Sequence, residues 1–144
     1  MCFKNIYNKV EELKDYSVET ILAELDIVVI YTNSIPLNKN GIYIKTNTPT
    51  ILIRNDLSQQ DEQNILLHEI GHCLFDYGYH ISNHRKEENN ANLFMCLYLI
   101  NNNIWEAEYF DHYLIYKGVE PKIARQFNDR IWQYKYQVTF GIAY

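Results

Sequence analysis

Apolar residues recur along this chain at two periods, and the switch between them marks out its parts. Val18, Ile21, Leu22 and Leu25 fall at the three- and four-residue steps of one helix face, and Ser17 stands where an N-cap belongs. A first short helix is expected over 4–15, ahead of that one. The run "DIVVIYT" (26–32) is continuous and β-branched, which predicts a buried strand. "GIYIKT" (41–46) and "TILIRN" (50–55) predict two more, close enough across "NTP" for a hairpin or tight bend.

The helical period returns at residue 58. Ser58 precedes Asp61 by three positions, a capping-box pattern, and Asp61 and Glu62 place acid in the first turn, where the helix dipole favours it. This helix is expected to run to Tyr77, with Gly78 as its C-terminal stop. A loop over 78–84 and a long helix over about 85–101 follow. "IWEAEYFDHYLIYK" (104–117) predicts another helix, ended by Gly118, and Pro121 sits at a first-turn position of a last one. Helices, then about three strands, then four helices describe an α+β fold, expected to form a single domain over 1–144.

Composition narrows the function classes. At 47% hydrophobic and 15% aromatic residues, the chain has material for a core and is not a disordered type. No apolar run reaches the roughly 18 residues of a membrane span. The opening "MCFKNIYNKVEELKDY" is charged throughout and lacks the apolar segment of a secretory signal. The three cysteines, Cys2, Cys73 and Cys96, form no C-x-x-C pair, which argues against a disulfide framework and for a reducing, cytoplasmic setting. A net charge of −5 repels a phosphate backbone, so no direct nucleic-acid binding is expected.

The candidate chemistry lies in "LLHEIGHCLF" (66–75). At about 100° per residue, Leu66, Leu67, Ile70, Leu74 and Tyr77 share one face of the helix. His68 and His72 fall on the other side, with Ile65, Glu69 and Asp76 beside them. Imidazoles at i and i+4 can reach one metal ion, and Glu69, one step round, can reach a water held by it. That is the arrangement of a zinc hydrolase, with Glu69 as general base. By chance alone a chain of this composition shows H-E-x-x-H roughly once in a hundred, so the capped helical context carries much of the weight. Gly71 inside the helix costs about 1 kcal/mol against alanine and marks a place of close packing.

A third ligand must come from elsewhere. His80 and His84 follow in the loop, but the glycine and histidine of an extended H-E-x-x-H-x-x-G-x-x-H motif are absent, since Phe75 and Gly78 stand there. Asp76 continues the histidine row, too nearly in line to share the ion, and suits a hydrogen bond that orients His72. "KEENNANLF" (86–94) opens the next helix with Glu88 and Asn92 on one face and Glu87 on a neighbouring one. A carboxylate there could complete the site; a solvated charge run is the plainer reading.

Together, "LLHEIGHCLF" and "EENNANLFMCLYLI" resemble the ImmA/IrrE metallopeptidases, in which H-E-x-G-H is followed by a helix bearing E-x-x-A-N-x-F. Glu88, Ala91, Asn92 and Phe94 match that second motif, and the likeness covers roughly residues 18–101. The chain departs after it: Met95 to Asn101 lacks the proline of the family's small-residue run. The resemblance implies a gluzincin-like minimal zincin, a small sheet packed on the zinc-binding helix. One Zn2+ would sit on His68, His72 and Glu88, with Glu69 as base and Asn92 and Asp76 supporting the ligands. It implies a protein substrate, a helix-turn-helix repressor of a phage, mobile element or stress locus, received as an extended strand along an edge at Thr50–Asn55. The competing reading is a module of the same fold that disables a repressor by capture alone. Tyr109, His112, His80 and His84 are candidate donors to a developing oxyanion, none favoured over packing or surface roles.

Overall fold

The computed structural model describes residues 3–36, 38–76, 84–100 (without the His84 side chain) and 109–141. Those residues form six helices and a three-stranded mixed sheet, an α+β fold. In chain order the elements are α1 (Phe3–Leu13), α2 (Val18–Glu24), β1 (Val28–Tyr31), β2 (Gly41–Ile44), β3 (Thr50–Ile53), α3 (Gln59–Phe75), α4 (His84–Ile100), α5 (Phe110–Tyr116) and α6 (Pro121–Phe140). Both predicted N-caps are in place. Ser17 Oγ accepts from the Thr20 amide at 3.1 Å, and Ser58 Oγ from the Asp61 amide at 3.1 Å. The α3 helix stops at Phe75, with Asp76 already extended; Tyr77 and Gly78, its expected end, lie outside the described residues. Of the helix expected over 104–117, residues 104–108 lie outside the described residues and Tyr109 is not helical; α5 begins at Phe110 and ends as predicted before Gly118, whose φ of 92° suits a residue without a Cβ.

The strand order is β1-β3-β2, with β1 parallel and β2 antiparallel to β3. This overturns the expectation for Thr50–Asn55. Strand β3 is central, and both of its hydrogen-bonding sides are taken by neighbours, so it cannot add an extended peptide. A hairpin can be read from the short "NTP" connection, whereas the parallel partner arrives from residues 28–31, and no local signal announces it. The expectation of a buried strand at 26–32 is corrected too. Strand β1 is an edge, with Val28 at 44%, Ile30 at 45% and Tyr31 at 53% exposure. A continuous apolar run cannot distinguish a strand covered on both faces from one covered on a single face.

Helix α3 is the axis of the molecule. It packs against β2 and β3 on one side and α4 on the other, and α1, α5 and α6 close around α4. The two-residue period of β3 buries Ile51 and Ile53 completely, and these join Leu67, Ile70, Phe94 and Phe127 in one buried cluster. Because α3 is covered on both sides, its polar strip is buried as well: Glu69 is 6% and His72 8% exposed.

The α3–α4 contact is close at one point. A Cβ placed on Gly71 would lie 2.8 Å from the Ala91 Cα and 3.1 Å from its carbonyl oxygen. The predicted close packing at Gly71 is therefore backbone against backbone, and no side chain larger than hydrogen fits there without moving α4. Among the described residues, no helix is long and apolar enough to cross a membrane.

Candidate metal centre

The Gly71–Ala91 contact decides what meets at the site. Glu88 lies three residues before Ala91, one turn up the same side of α4, and the contact carries its carboxylate to the histidines of α3. His72 Nε2 lies 2.7 Å from Glu88 Oε1 and 3.2 Å from His68 Nε2, while His68 Nε2 lies 3.3 Å from Glu88 Oε2. Ligand atoms of His68, His72 and Glu88 all fall within 4.8 Å of one another, and the group could hold a metal ion. The two rings stand nearly edge to face, 4.8 Å apart at 80°, as imidazoles do when both point one nitrogen at a common position. Glu87, the rival carboxylate, is outside this group.

Asp76 fixes one ring. His72 Nδ1 donates to Asp76 Oδ2 at 2.8 Å, because a carboxylate only accepts. With Nδ1 committed to Asp76, Nε2 is the nitrogen turned toward the shared position, and a metal bound there would take the place of its proton. Asn92 lines the cavity beside His68 and Glu88.

The electrostatics match a site built for a cation. Burial pulls the His72 imidazole down, but the Asp76 and Glu88 carboxylates outweigh it and push its pKa up to about 10. Hydrogen bonds from His68 and His72 hold the Glu88 carboxyl well below the usual range. Glu69 behaves in the opposite way. Burial raises its pKa against the opposing pull of His68 and His72, Glu88 adds to the rise, and the Tyr43 backbone amide, bonding the carboxylate, works against it. Its Oε2 lies 3.9 Å from His68 Nε2, beside the triad and not in it. Two glutamates of one site are thus driven apart, the Glu88 carboxyl downward by its histidine partners and the Glu69 carboxyl upward by burial.

Two cavities flank the triad, of about 460 Å³ and 470 Å³, and both are lined by His68, Glu88, Ile65, Asn38 and Asn40. The larger also follows Gly41 and Ile42 at the start of β2 and reaches Glu69, His72 and Asp76. The other follows Asn92 and Met95 of α4 to the turn that opens α6. Strand β2 is pressed onto α3 here: a Cβ on Gly41 would come within 2.5 Å of Ile65 Cγ2 and 3.5 Å of Glu69 Cγ. The rim at residues 35, 36 and 38–40 is tied down by Arg54, which donates Nε to the Lys39 carbonyl at 2.9 Å and Nη2 to the Pro36 and Ile35 carbonyls at 3.1 and 3.3 Å.

Sequence reasoning missed β2, the 38–40 rim, Arg54 and the α6 turn as parts of the site. Asparagines and a strand of four residues carry no spacing signal, and contacts reaching fifteen or more positions along the chain are invisible to local pattern. Of the oxyanion candidates, Tyr109 stacks on His112 at 5.4 Å, and neither lines the two cavities. His80 and the side chain of His84 lie outside the described residues. Cys96 is buried and Cys73 half-buried against the core, as expected of packing residues.

The helix pair with two histidines and a glutamate in one donor triangle, set under a small mixed sheet, is the layout of a metallopeptidase. The chain belongs to the peptidase family described as the IrrE N-terminal-like domain, which it matches over residues 22–130. That match runs beyond residue 101, where the motif resemblance ends, through α5 and into α6. No curated protein and no solved structure matches the chain.

Proposed function

We propose that this protein is a zinc-dependent endopeptidase that cuts a partner protein, with His68, His72 and Glu88 as ligands and Glu69 as general base. The observation that carries the reading is the donor triangle. A tetrahedral ion with bonds of about 2.0–2.1 Å separates its ligand atoms by about 3.3 Å; the two imidazole Nε2 atoms are 3.2 Å apart, and each faces its own Glu88 oxygen, Oε1 at 2.7 Å from His72 and Oε2 at 3.3 Å from His68. Two imidazoles and one carboxylate are a donor set that zinc favours, with one position left for water or substrate. A zinc ion bound there supplies Lewis acidity, polarising a carbonyl and acidifying water.

The chain's own residues do the rest. Glu69, its affinity for protons raised by burial, takes a proton from the attacking water as oxygen bonds to the carbonyl carbon. It returns that proton to the amide nitrogen as the C–N bond breaks. The Tyr43 backbone bonds the Glu69 carboxylate, and Asp76 holds the Nδ1 side of His72. The substrate is received along β2 rather than β3: β2 pairs with β3 on one side only, and its first residues line the cavity at Glu69. An extended peptide adds there as a further strand. The family resemblance supports a helix-turn-helix repressor as that substrate and Zn2+ as the single metal.

Glu69→Gln tests this reading. The variant should bind one equivalent of zinc and lose about a thousandfold or more in cleavage of the repressor encoded beside its gene. Repressor inactivation that survives the substitution with metal bound would show that the protein acts by capture and not by hydrolysis.

A further inference from the structure

The cavity on the α6 side of the triad has an uneven chemistry. Part of its lining is aliphatic, from Ile65 on α3, Met95 on α4, Val119 and Ile123. Asp61 stands in the first turn of α3 and Glu120 directly before α6, and both residues, exposed to solvent, border the same cavity. No lysine or arginine lines it, and neither Asp61 nor Glu120 is in an ion pair among the described residues. The Glu120 side chain does not cap its own helix.

The elements bearing the two acids are joined. Gln60 Nε2 donates to the Tyr116 carbonyl at 3.4 Å and Asn64 Nδ2 to the Lys117 carbonyl at 2.8 Å. A Cβ on Gly118 would lie 2.9 Å from Gln60 Oε1. The first turns of α3 are thus locked against the turn that leads into α6. Asn64, only 6% exposed, lines the cavity with its amide nitrogen already committed, which leaves its carbonyl oxygen as an acceptor. An aliphatic channel that runs to carboxylates and an amide oxygen suits a long side chain with a cationic end. The α6 N-terminus opposes this with a partial positive charge of about half a unit, outweighed by two full negative charges.

We propose that this cavity is a specificity pocket for a lysine or arginine next to the scissile bond, with Asp61 and Glu120 as the residues that select it. The proposal rests on the peptidase reading for its biological meaning, but the pocket can be probed without turnover. Its volume of about 460 Å³ is within the range of sites that enclose a single side chain or small ligand. It opens directly on His68 and Glu88, so whatever fills it lies beside the metal position.

The test uses the zinc-loaded full chain and short peptidyl hydroxamates, which bind through the metal whether or not catalysis occurs. Two series place a lysyl, leucyl or glutamyl side chain on one side or the other of the hydroxamate. In one series the lysyl compound should bind at least about tenfold tighter than the leucyl, with the glutamyl weakest, and added salt should narrow the gap. The Asp61→Asn/Glu120→Gln protein should hold one zinc and flatten the series to within about threefold, and Glu120→Lys should favour the glutamyl compound. If the double variant fails to fold, Glu120→Gln alone, at an exposed position, should reduce the preference. Equal binding of all three side chains in both series, or an unchanged preference in folded, zinc-loaded variants, overturns the pocket. A lysyl preference without hydrolysis of any protein or peptide would sink the peptidase reading and leave the pocket standing. Hydrolysis with no basic preference would do the reverse.

Discussion

The paired helices α3 and α4 and the rim of the cleft around them are built on different principles. In the pair, backbone meets backbone at Gly71 and Ala91, and the three donors, the base and their neighbours are partly or fully buried. Their positions follow from helix geometry once one distance is set. The rim is made of residues 35, 36 and 38–40, the edge strand β2 and the 117–120 turn, held by single side chains reaching for carbonyls: Arg54 on one side, Asn64 and Gln60 on the other. Packing resists change in the first region, whereas a few half-exposed hydrogen bonds do so in the second. Chemistry can therefore stay constant in the pair while the rim adapts to a substrate, which is how a rigid scaffold with variable edges serves different targets.

The contrast can be broken most severely at the triad. Glu88→Ala should weaken zinc binding by at least about a hundredfold, more than loss of a supporting residue does. Glu87→Ala should keep one equivalent of zinc in a metal assay; the opposite ranking would move the third ligand by one residue. Gly71→Ala attacks the pair without touching a ligand. The substitution gains about 1 kcal/mol of helix propensity but overpacks the contact, at a cost of about 1–3 kcal/mol. A lower melting temperature together with weaker zinc binding is expected from thermal melts and metal titrations. A more stable protein with unchanged affinity would mean that the contact does not set the donor triangle. The smallest effect belongs to the rim. Arg54→Met removes three hydrogen bonds to carbonyls yet should leave zinc binding intact, while amide hydrogen exchange over residues 35–40 quickens about fivefold or more. Unchanged exchange would show that the rim is held by something other than Arg54.

The parts of the fold legible in the sequence were those governed by local rules. Ser17 and Ser58 announced their helices because a cap is a contact over three residues. Asp76 could be placed on His72 because i,i+4 neighbours meet on any helix. Gly71 signalled close packing because glycine is costly inside a helix and needs a compensating reason. Errors arose where the outcome depended on distant partners. The apolar run at 26–32 looked buried, yet β1 became an open edge because it pairs with β3 alone, and most of its side chains are exposed. The stretch at 50–55 looked like an edge, yet it became the centre because β1 joined it in parallel.

By itself, then, the sequence determined the candidate metal helix, its two histidines, the glutamate beside them and the aspartate that bonds His72, all within nine residues. Which carboxylate stands beside the histidines was open to sequence reading except through family likeness, and the tertiary structure brings Glu88 there. Glu88 and Glu87 are equally good ligands in isolation, and only the approach of α4 to Gly71 brings one of them within 2.7 Å of His72. The cleft was decided in the same way, by hydrogen bonds spanning fifteen to fifty-six positions along the chain, such as that of Arg54 to Lys39 and that of Gln60 to Tyr116. Helix periodicity operates over a few residues and is written in their order, whereas the meeting of two elements depends on how the whole core packs.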